Sequence, residues 1–330
     1  MRTLPVLATG IIIATASLLV VAQSPDKEKQ KPKTWPEKAA ARFGDTPLPD
    51  QKALIESNLP KATVEPGKER RILCFWRCEG FIHTSIPFCN YAVQKTAEST
   101  GAYKVDLADE YSVFTSKNLE KYDAVLFNNT TNLVPNEEQQ KAILDFVNGG
   151  KGIIGFHAAA DNFKKWEEGV AMIGGVFNGH PWTSKGTWAF KLDDPDHPLN
   201  AAFRGNGFWH KDEIYWYKPE SFQGRERLRV LLSLDMTKPR NHDPLKNEKF
   251  KKQIEEGQPM DVPVSWIRTI GEGRLFFTNL GHNDSTFWNQ TVLQHMLDGM
   301  QYAMGDLTAE AVPSSGLNKE AALAPAEAPE

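Results

Sequence analysis

The sequence predicts an α/β domain with a mostly parallel sheet and extra strands in its second half. Between residues 71 and 156, short apolar runs alternate with helix-like segments, a pattern typical of parallel strands joined by right-handed crossovers. Between residues 187 and 278, extended runs follow one another with few helical segments between them. A composition of 40% hydrophobic and 24% charged residues excludes collagen-like, coiled-coil and fully disordered chains.

The first half of this domain contains four predicted strands and two predicted helices. Apolar runs predict strands at 71–76, 103–107, 123–128 and 152–156. Apolar residues at helical spacing predict helices over 86–99 and 135–147, and the pair Gly149 and Gly150 ends the second one. Ligands of parallel sheets bind beyond the carboxyl ends of the strands, so we expect functional residues directly after these strands.

The second half is richer in strands. Extended segments are predicted at 187–192, 213–217, 227–234, 262–270 and 274–278. The last two are separated by 271–273, which predicts a hairpin or adjacent strands. A final helix is predicted from about 285 to 304 and contains His295, which we interpret as structural.

The amino-terminal residues 1–22 are typical of an export signal. Arg2 precedes a stretch without charges that ends in small or β-branched residues. An uncleaved anchor is the alternative, because the stretch is just long enough to span a bilayer. We favour cleavage, since Gly10, Thr15 and Ser17 dilute the apolar run. The mature protein is then expected in the periplasm or outside the cell, without a membrane span.

The remaining boundaries follow from composition. Residues 23–70 are predicted to be a linker, with a short helix from Asp50 to Asn58. Residues 71–305 form the folded domain, and residues 306–330, rich in Ala, Pro and Glu, are predicted to be a disordered tail.

Charge and cysteine content exclude some classes of function. The 38 Lys and Arg against 42 Asp and Glu give a net charge of −4, which does not favour a nucleic-acid partner. The chain has three cysteines, Cys74, Cys78 and Cys89. Cys78 and Cys89 could pair in an oxidising compartment, whereas a zinc site built from cysteines lacks a second pair.

A tight turn follows the predicted strand 152–156. Small residues at 155, 158 and 159 surround His157, which such a turn would hold exposed above the sheet, as in nucleophile elbows. Histidine does not replace serine or cysteine in acyl transfer, but it can bind a metal or move protons. This argues against an amidase or esterase. Asp161 either orients His157 or favours the start of a helix.

Histidines also occur in other turns expected near this edge, and we expect metal binding or acid–base chemistry if they converge. Two histidines and a carboxylate are a common open metal site. The predicted ligands are His157, His180, Glu213 and His282, with zinc or manganese as the metal, and no nucleotide cofactor is expected. His157, His83 and Asp161 are the predicted catalytic residues.

Aromatic residues suit a carbohydrate ligand, because sugar rings stack on aromatic faces. The chain has 9 Trp, 18 Phe and 7 Tyr, although core packing accounts for most of them. The predicted substrate-binding residues are Asn128, Asn129, Trp182, Trp209, Tyr215 and Asn283.

Five segments together resemble the trehalose-utilisation, ThuA-like family: 81–85, 155–161, 174–181, 212–215 and 281–282. The resemblance covers about 71–304. It implies a flavodoxin-like, three-layer sandwich related to class I glutamine amidotransferases, in which His157 replaces their catalytic cysteine, so amidotransferase activity is not expected. It also implies a carbohydrate substrate such as a disaccharide, a glycoside or a 3-keto sugar.

The leading hypothesis is therefore an exported hydrolase or lyase, or an isomerising enzyme, that acts on a small sugar derivative. The alternatives are a non-catalytic sugar-binding module and a scaffold of an exported complex. An oligomer is compatible with the sequence.

Overall fold

The computed structural model describes residues 33–328, so the predicted signal at 1–22 lies outside the described residues. Strands and helices alternate along the first part of this range, as the sequence predicts. The strands are β1 (Arg71–Phe75), β2 (Lys104–Ala108), β3 (Ala124–Asn128), β4 (Gly152–Phe156), β5 (Phe177–Trp182), β6 (Thr187–Leu192), β7 (Phe208–Lys211), β8 (Ile214–Tyr217), β9 (Arg229–Leu234), β10 (Pro263–Ile270) and β11 (Gly273–Thr278). The α-helices are α1 (Trp35–Phe43), α2 (Pro49–Ser57), α3 (Ile86–Thr100), α4 (Ser116–Leu119), α5 (Glu137–Asn148), α6 (Glu167–Ile173), α7 (Pro239–His242), α8 (Glu248–Glu255) and α9 (Gln290–Met304).

Nine strands form one sheet in the order β2-β1-β3-β4-β11-β10-β9-β6-β7. Its first five strands are parallel, and β10, β9, β6 and β7 extend it with antiparallel pairs. The parallel part has the strand order of flavodoxin-like folds, with β11 as the fifth strand. Strands β5 and β8 form a separate antiparallel pair. The predicted α/β class is thus confirmed, including the additional strands of the second half.

Alternate residues of each central strand pack on opposite faces of the sheet. In β1, Ile72 and Cys74 face one apolar cluster, whereas Leu73 and Phe75 face the other. Helices α3 and α9 cover the first face, and α5 and α6 cover the second. Because each face buries a continuous apolar surface, the domain has three layers.

Two segments outside the predicted domain are ordered, which corrects the expected linker and tail. Helix α1 lies within the predicted linker and buries Trp35 and Ala39, one helical turn apart. In the predicted tail, Ala322 exchanges two backbone hydrogen bonds with Leu192, and Ala324 is buried. Backbone bonding to a strand needs no apolar side chains, so composition does not reveal it.

The three cysteines are free thiols and all are buried, so the considered pairing of Cys78 with Cys89 is not formed. The Cys78 thiol donates to the carbonyl oxygen of Asn129, and burial raises its pKa to about 12. The short helix α2 begins at Pro49 and has Leu48, not Asp50, at its N-cap. No helix between residues 33 and 328 is long and apolar enough to cross a membrane.

Candidate metal centre

Four side chains meet at the carboxyl edge of the parallel strands. His83 follows β1, His157 follows β4, His282 follows β11, and Glu213 directly precedes β8. Each offers one ligand atom, and these four atoms all lie within 4.8 Å of one another. His282 Nδ1 is 3.2 Å from both His157 Nε2 and Glu213 Oε1, and the latter two atoms are 3.9 Å apart. The condition under which the sequence indicates metal binding or acid–base chemistry is therefore met by His83, His157 and His282.

The group fits a divalent metal ion in spacing and in chemistry. Metal–nitrogen bonds of about 2.0–2.1 Å in a tetrahedral arrangement place ligand atoms roughly 3.4 Å apart, close to the two separations of 3.2 Å and below the upper limit of 4.8 Å for the group. Three imidazoles and one carboxylate suit a borderline metal such as zinc. His157, His83 and Glu213 are 0%, 3% and 7% exposed, so an ion bound here would be largely shielded from solvent.

The turn after β4 fixes the orientation of His157. The backbone of His157 has φ +43°, and a Cβ at Gly155 would approach the Phe277 ring to 2.9 Å, so the turn requires glycine there. Nδ1 of His157 donates to the carbonyl oxygen of Asn279 at 2.8 Å, which directs the lone pair of Nε2 into the cluster, 3.2 Å from Nδ1 of His282. The turn was expected to hold His157 exposed. Instead it is fully buried, because other side chains cover it, including Tyr215, whose ring centre lies 4.4 Å from that of His157.

His83 is an imidazole without a hydrogen-bond partner among the described residues. Its Nδ1 is buried and unpaired, and its ring lies edge-on to His157 at 4.9 Å and to His282 at 5.0 Å. Burial, followed by the charge of His282, lowers the pKa of His83. Burial and the two neighbouring histidines likewise lower the pKa of His157. Both imidazoles are thus neutral at pH 7, the form that binds metals.

Glu213 lies within hydrogen-bonding distance of two histidines, His282 and His180. Burial alone would lower the pKa of His282, but the hydrogen bond and negative charge of Glu213 outweigh it and raise that pKa. The second carboxylate oxygen of Glu213 lies 3.2 Å from Nδ1 of His180, whose side chain is 48% exposed. His180 is therefore at the rim and contacts a ligand residue. Of the four predicted ligands, three belong to the group, namely His157, Glu213 and His282, and its fourth member is His83 rather than His180.

Asp212 holds the two loops that carry Glu213 and His282. Its carboxylate is completely buried and accepts four hydrogen bonds. One oxygen accepts from the backbone N–H of Glu213 and of Asn283, and the other from the N–H of Gly281 and the Thr286 hydroxyl. A single carboxylate thus fixes the backbone on both sides of His282.

Three of the predicted site residues lie elsewhere. The Asp161 carboxylate contacts Lys164 at 2.7 Å, and the carbonyl of Asn279 orients His157 in its place. Burial raises the pKa of Asp161. Trp182 is fully buried, and its indole N–H donates to the carbonyl of Asn241, so it is part of the core. Trp209 donates to the carbonyl of Pro325 in the carboxyl-terminal segment.

The other predicted substrate residues support the site. Asn128 ties β3 to α3 through the carbonyl of Ile86. The amide of Asn283 donates to two backbone carbonyls and so holds its loop. Asn129 is different, because its side-chain oxygen is buried without a partner, and its amide nitrogen lies 3.8 Å from where a Cβ of Gly281 would be. Asn129 is therefore the predicted amide with free hydrogen-bonding capacity at the centre.

The profile of the family described as "Trehalose utilisation" matches residues 71–303. The chain belongs to the ThuA family. A ThuA-like protein from Bacteroides uniformis ATCC 8492 is 21% identical over 73% of this chain and 94% of that chain, with a TM-score of 0.56. One from Parabacteroides merdae ATCC 43184 is 18% identical over 74% and 93%, with a TM-score of 0.52. These likenesses show a shared fold. A search of curated proteins gives no significant match.

Sequence reasoning did not assign a positioning role to two residues that build the centre of this ThuA protein. Asn279 acts through its backbone carbonyl, which any residue type could supply, so no sequence signal exists. Asp212 lies beside Glu213 in one of the segments that carry the family resemblance, and its position next to a predicted ligand is the signal that was available.

Proposed function

We propose that this ThuA family protein is a metal-dependent enzyme that cleaves or rearranges a sugar derivative, such as a disaccharide, glycoside or 3-keto sugar. The convergence of His83, His157, Glu213 and His282 carries the proposal. Family membership supports the carbohydrate class. When bound, zinc or manganese would polarise a carbonyl or hydroxyl oxygen of the substrate.

The residues of the centre have two further roles, the positioning of ligands and proton transfer. His157 and Glu213 are held by backbone and carboxylate contacts, so they serve as fixed ligands. His180 is exposed at the rim, within reach of Glu213, and can donate a proton to a substrate oxygen or accept one from it. Hydrolysis, elimination and isomerisation all require such proton transfers.

We further propose that the protein acts outside the cytoplasm, on the basis of the signal-like residues 1–22. Cell fractionation with an antibody to the folded domain tests this location. Recovery of the full-length chain from the cytoplasm would contradict it.

Elemental mass spectrometry on the purified full chain tests the metal. We expect close to one zinc or manganese per wild-type chain, and its loss in His157→Ala. His242→Ala is the matched control, because His242 is exposed and bonds to the carbonyl of Met236. A folded wild type that takes up no divalent metal would overturn the proposal.

Turnover of a panel of glycosides and 3-keto glycosides then tests catalysis in the metal-loaded protein. We expect activity in wild type and His242→Ala, and none in His157→Ala. Sugar binding that survives the joint loss of His157 and His180, without turnover in wild type, would instead favour a non-catalytic binding module.

A further inference from the structure

Helix α1 lies outside the family-matched residues and packs on the loop that carries His83. Trp35 and Ala39 of α1 form a small apolar cluster with Cys78 and Ile86, which flank this loop. The indole N–H of Trp35 also donates to the carboxylate of Asp109 at 2.9 Å. The helix is thus held against one wall of the metal centre.

Arg42 lies in the last turn of α1, beside this wall. Its Nε donates to the carbonyl oxygen of Ile82 at 2.9 Å, so the guanidinium is anchored next to His83. Among the described residues, no carboxylate forms an ion pair with it. The Asp284 carboxylate is near enough for the charge of Arg42 to affect its pKa, but it accepts from the Thr84 hydroxyl. The two terminal nitrogens of Arg42 are therefore available to a ligand.

Phe81 presents an exposed aromatic ring at the same place. The residue is 58% exposed. The other strongly exposed large apolar side chains among residues 33–328 are aliphatic. Its ring lies edge-on to His83 at 4.8 Å, and the Arg42 guanidinium lies 5.5 Å from its centre. Thr131 fixes the backbone here, since its hydroxyl donates to the carbonyl of Phe81 and its carbonyl accepts from Glu79. The exposure of the ring is thus set by a rigid loop.

We propose that Phe81 and Arg42 form a substrate subsite for a pyranose ring that carries a carboxylate. The C–H face of a sugar ring packs on an aromatic face, and the planar guanidinium fork pairs with a carboxylate through two hydrogen bonds. A guanidinium that forms no ion pair with a protein carboxylate favours an anionic ligand over a neutral one. This proposal deepens the proposed function, because it names the class of sugar that would reach the metal centre.

Ligand-observed NMR with two matched probes tests the subsite on the full chain. Methyl α-D-glucuronide carries a carboxylate where methyl α-D-glucoside carries a hydroxymethyl group. We expect wild type to bind the glucuronide about 10-fold or more tightly than the glucoside, as for a hydrogen-bonded charge pair. Arg42→Gln should abolish this preference, and Arg42→Lys should retain only part of it, since lysine lacks the fork. Phe81→Ala should weaken both probes by roughly 2–10-fold.

Arg227→Gln and Leu54→Ala are the matched controls, because both residues are exposed and neither contacts the centre. They should bind like wild type. Equal binding of the two probes, no binding of either, or a preference that survives Arg42→Gln would overturn the subsite. Metal content measured on the same samples separates the two proposals: a metal-free wild type that still prefers the glucuronide contradicts the metal enzyme alone.

Discussion

Two fully buried histidines in different regions of this protein share one contact and differ in another. His157 and His295 each donate from Nδ1 to a backbone carbonyl, at 2.8 Å to Asn279 and 2.7 Å to Leu199. Nε2 of His295 meets the hydroxyl of Ser265 at 2.9 Å, whereas Nε2 of His157 faces His282 and Glu213. Burial therefore does not distinguish a functional histidine from a structural one. The partner of the second nitrogen does.

The surroundings reinforce this difference. The rings of Phe203 and Phe276 pack against His295 at 5.3 and 5.4 Å, so its imidazole is part of the core beneath α9. The centre around His157 instead collects three imidazoles and a carboxylate, groups that are costly to bury. Substitution of His157 should therefore mainly weaken metal binding, whereas substitution of His295 should mainly lower the free energy of unfolding.

The largest expected effect is the loss of metal from His157→Ala. Removing a ligand should weaken binding by more than the roughly 10–100-fold that loss of a supporting hydrogen bond costs. Titration with zinc, followed by elemental analysis, measures this. His295→Ala creates a comparable buried cavity and should keep the wild-type metal content. Equal metal loss in both variants would show that the cavity, not the ligand, is responsible.

The second prediction concerns the stability of the His295→Ala variant. His295→Ala should lower the free energy of unfolding by about 2–4 kcal/mol, because it leaves a cavity and removes the partners of Ser265 and of the Leu199 carbonyl. Urea unfolding of the metal-free proteins measures this difference. If His295→Ala is no less stable than wild type, the structural role of His295 is wrong.

Asp212→Asn should weaken metal binding by roughly 10–100-fold while all four ligands remain. The amide nitrogen of asparagine would face either the N–H groups of Glu213 and Asn283 or the N–H of Gly281 and the Thr286 hydroxyl, so at least one hydrogen bond from a backbone N–H is lost. Hydrogen exchange at the 281 and 283 amides gives an independent readout and should become faster. Wild-type affinity together with wild-type exchange would rule out the positioning role of Asp212.

The fold was predictable where local apolar runs suffice to form an element. Strands β4 and β6 have the predicted bounds, since each is a compact apolar segment. Strands β5 and β7 were not predicted. Strand β5 contains glycine, histidine and proline, and it forms only through irregular pairing with β8. Strand β7 depends on pairing with β6, a contact that no local pattern encodes.

The site was predictable to the extent that position after a strand determines location. His157 and His282 follow parallel strands, and both are at the centre. His83 follows the parallel strand β1 and meets the same criterion. The exclusion of His180 from the group was not predictable, because β5 carries it on a segment whose pairing the sequence does not reveal. The indoles of Trp182 and Trp209 bond to backbone carbonyls far along the chain, which composition cannot distinguish from sugar stacking.

The smallest expected effect is a pH dependence that sharpens the contrast. Burial lowers the pKa of His295 from its ordinary 6.5 to about 4, so the folded protein resists a proton that the unfolded chain accepts. The contribution of His295 to stability is complete above pH 6.5 and decreases as the pH falls toward 4. At pH 5.5 the loss should be about 1 kcal/mol, from 1.36 kcal/mol per pH unit. Urea unfolding of wild type and His295→Gln at pH 7 and 5.5 measures it: the other buried histidines contribute equally to both proteins, so the variant should lose less stability on acidification. Identical losses would mean that His295 is not held neutral by its surroundings.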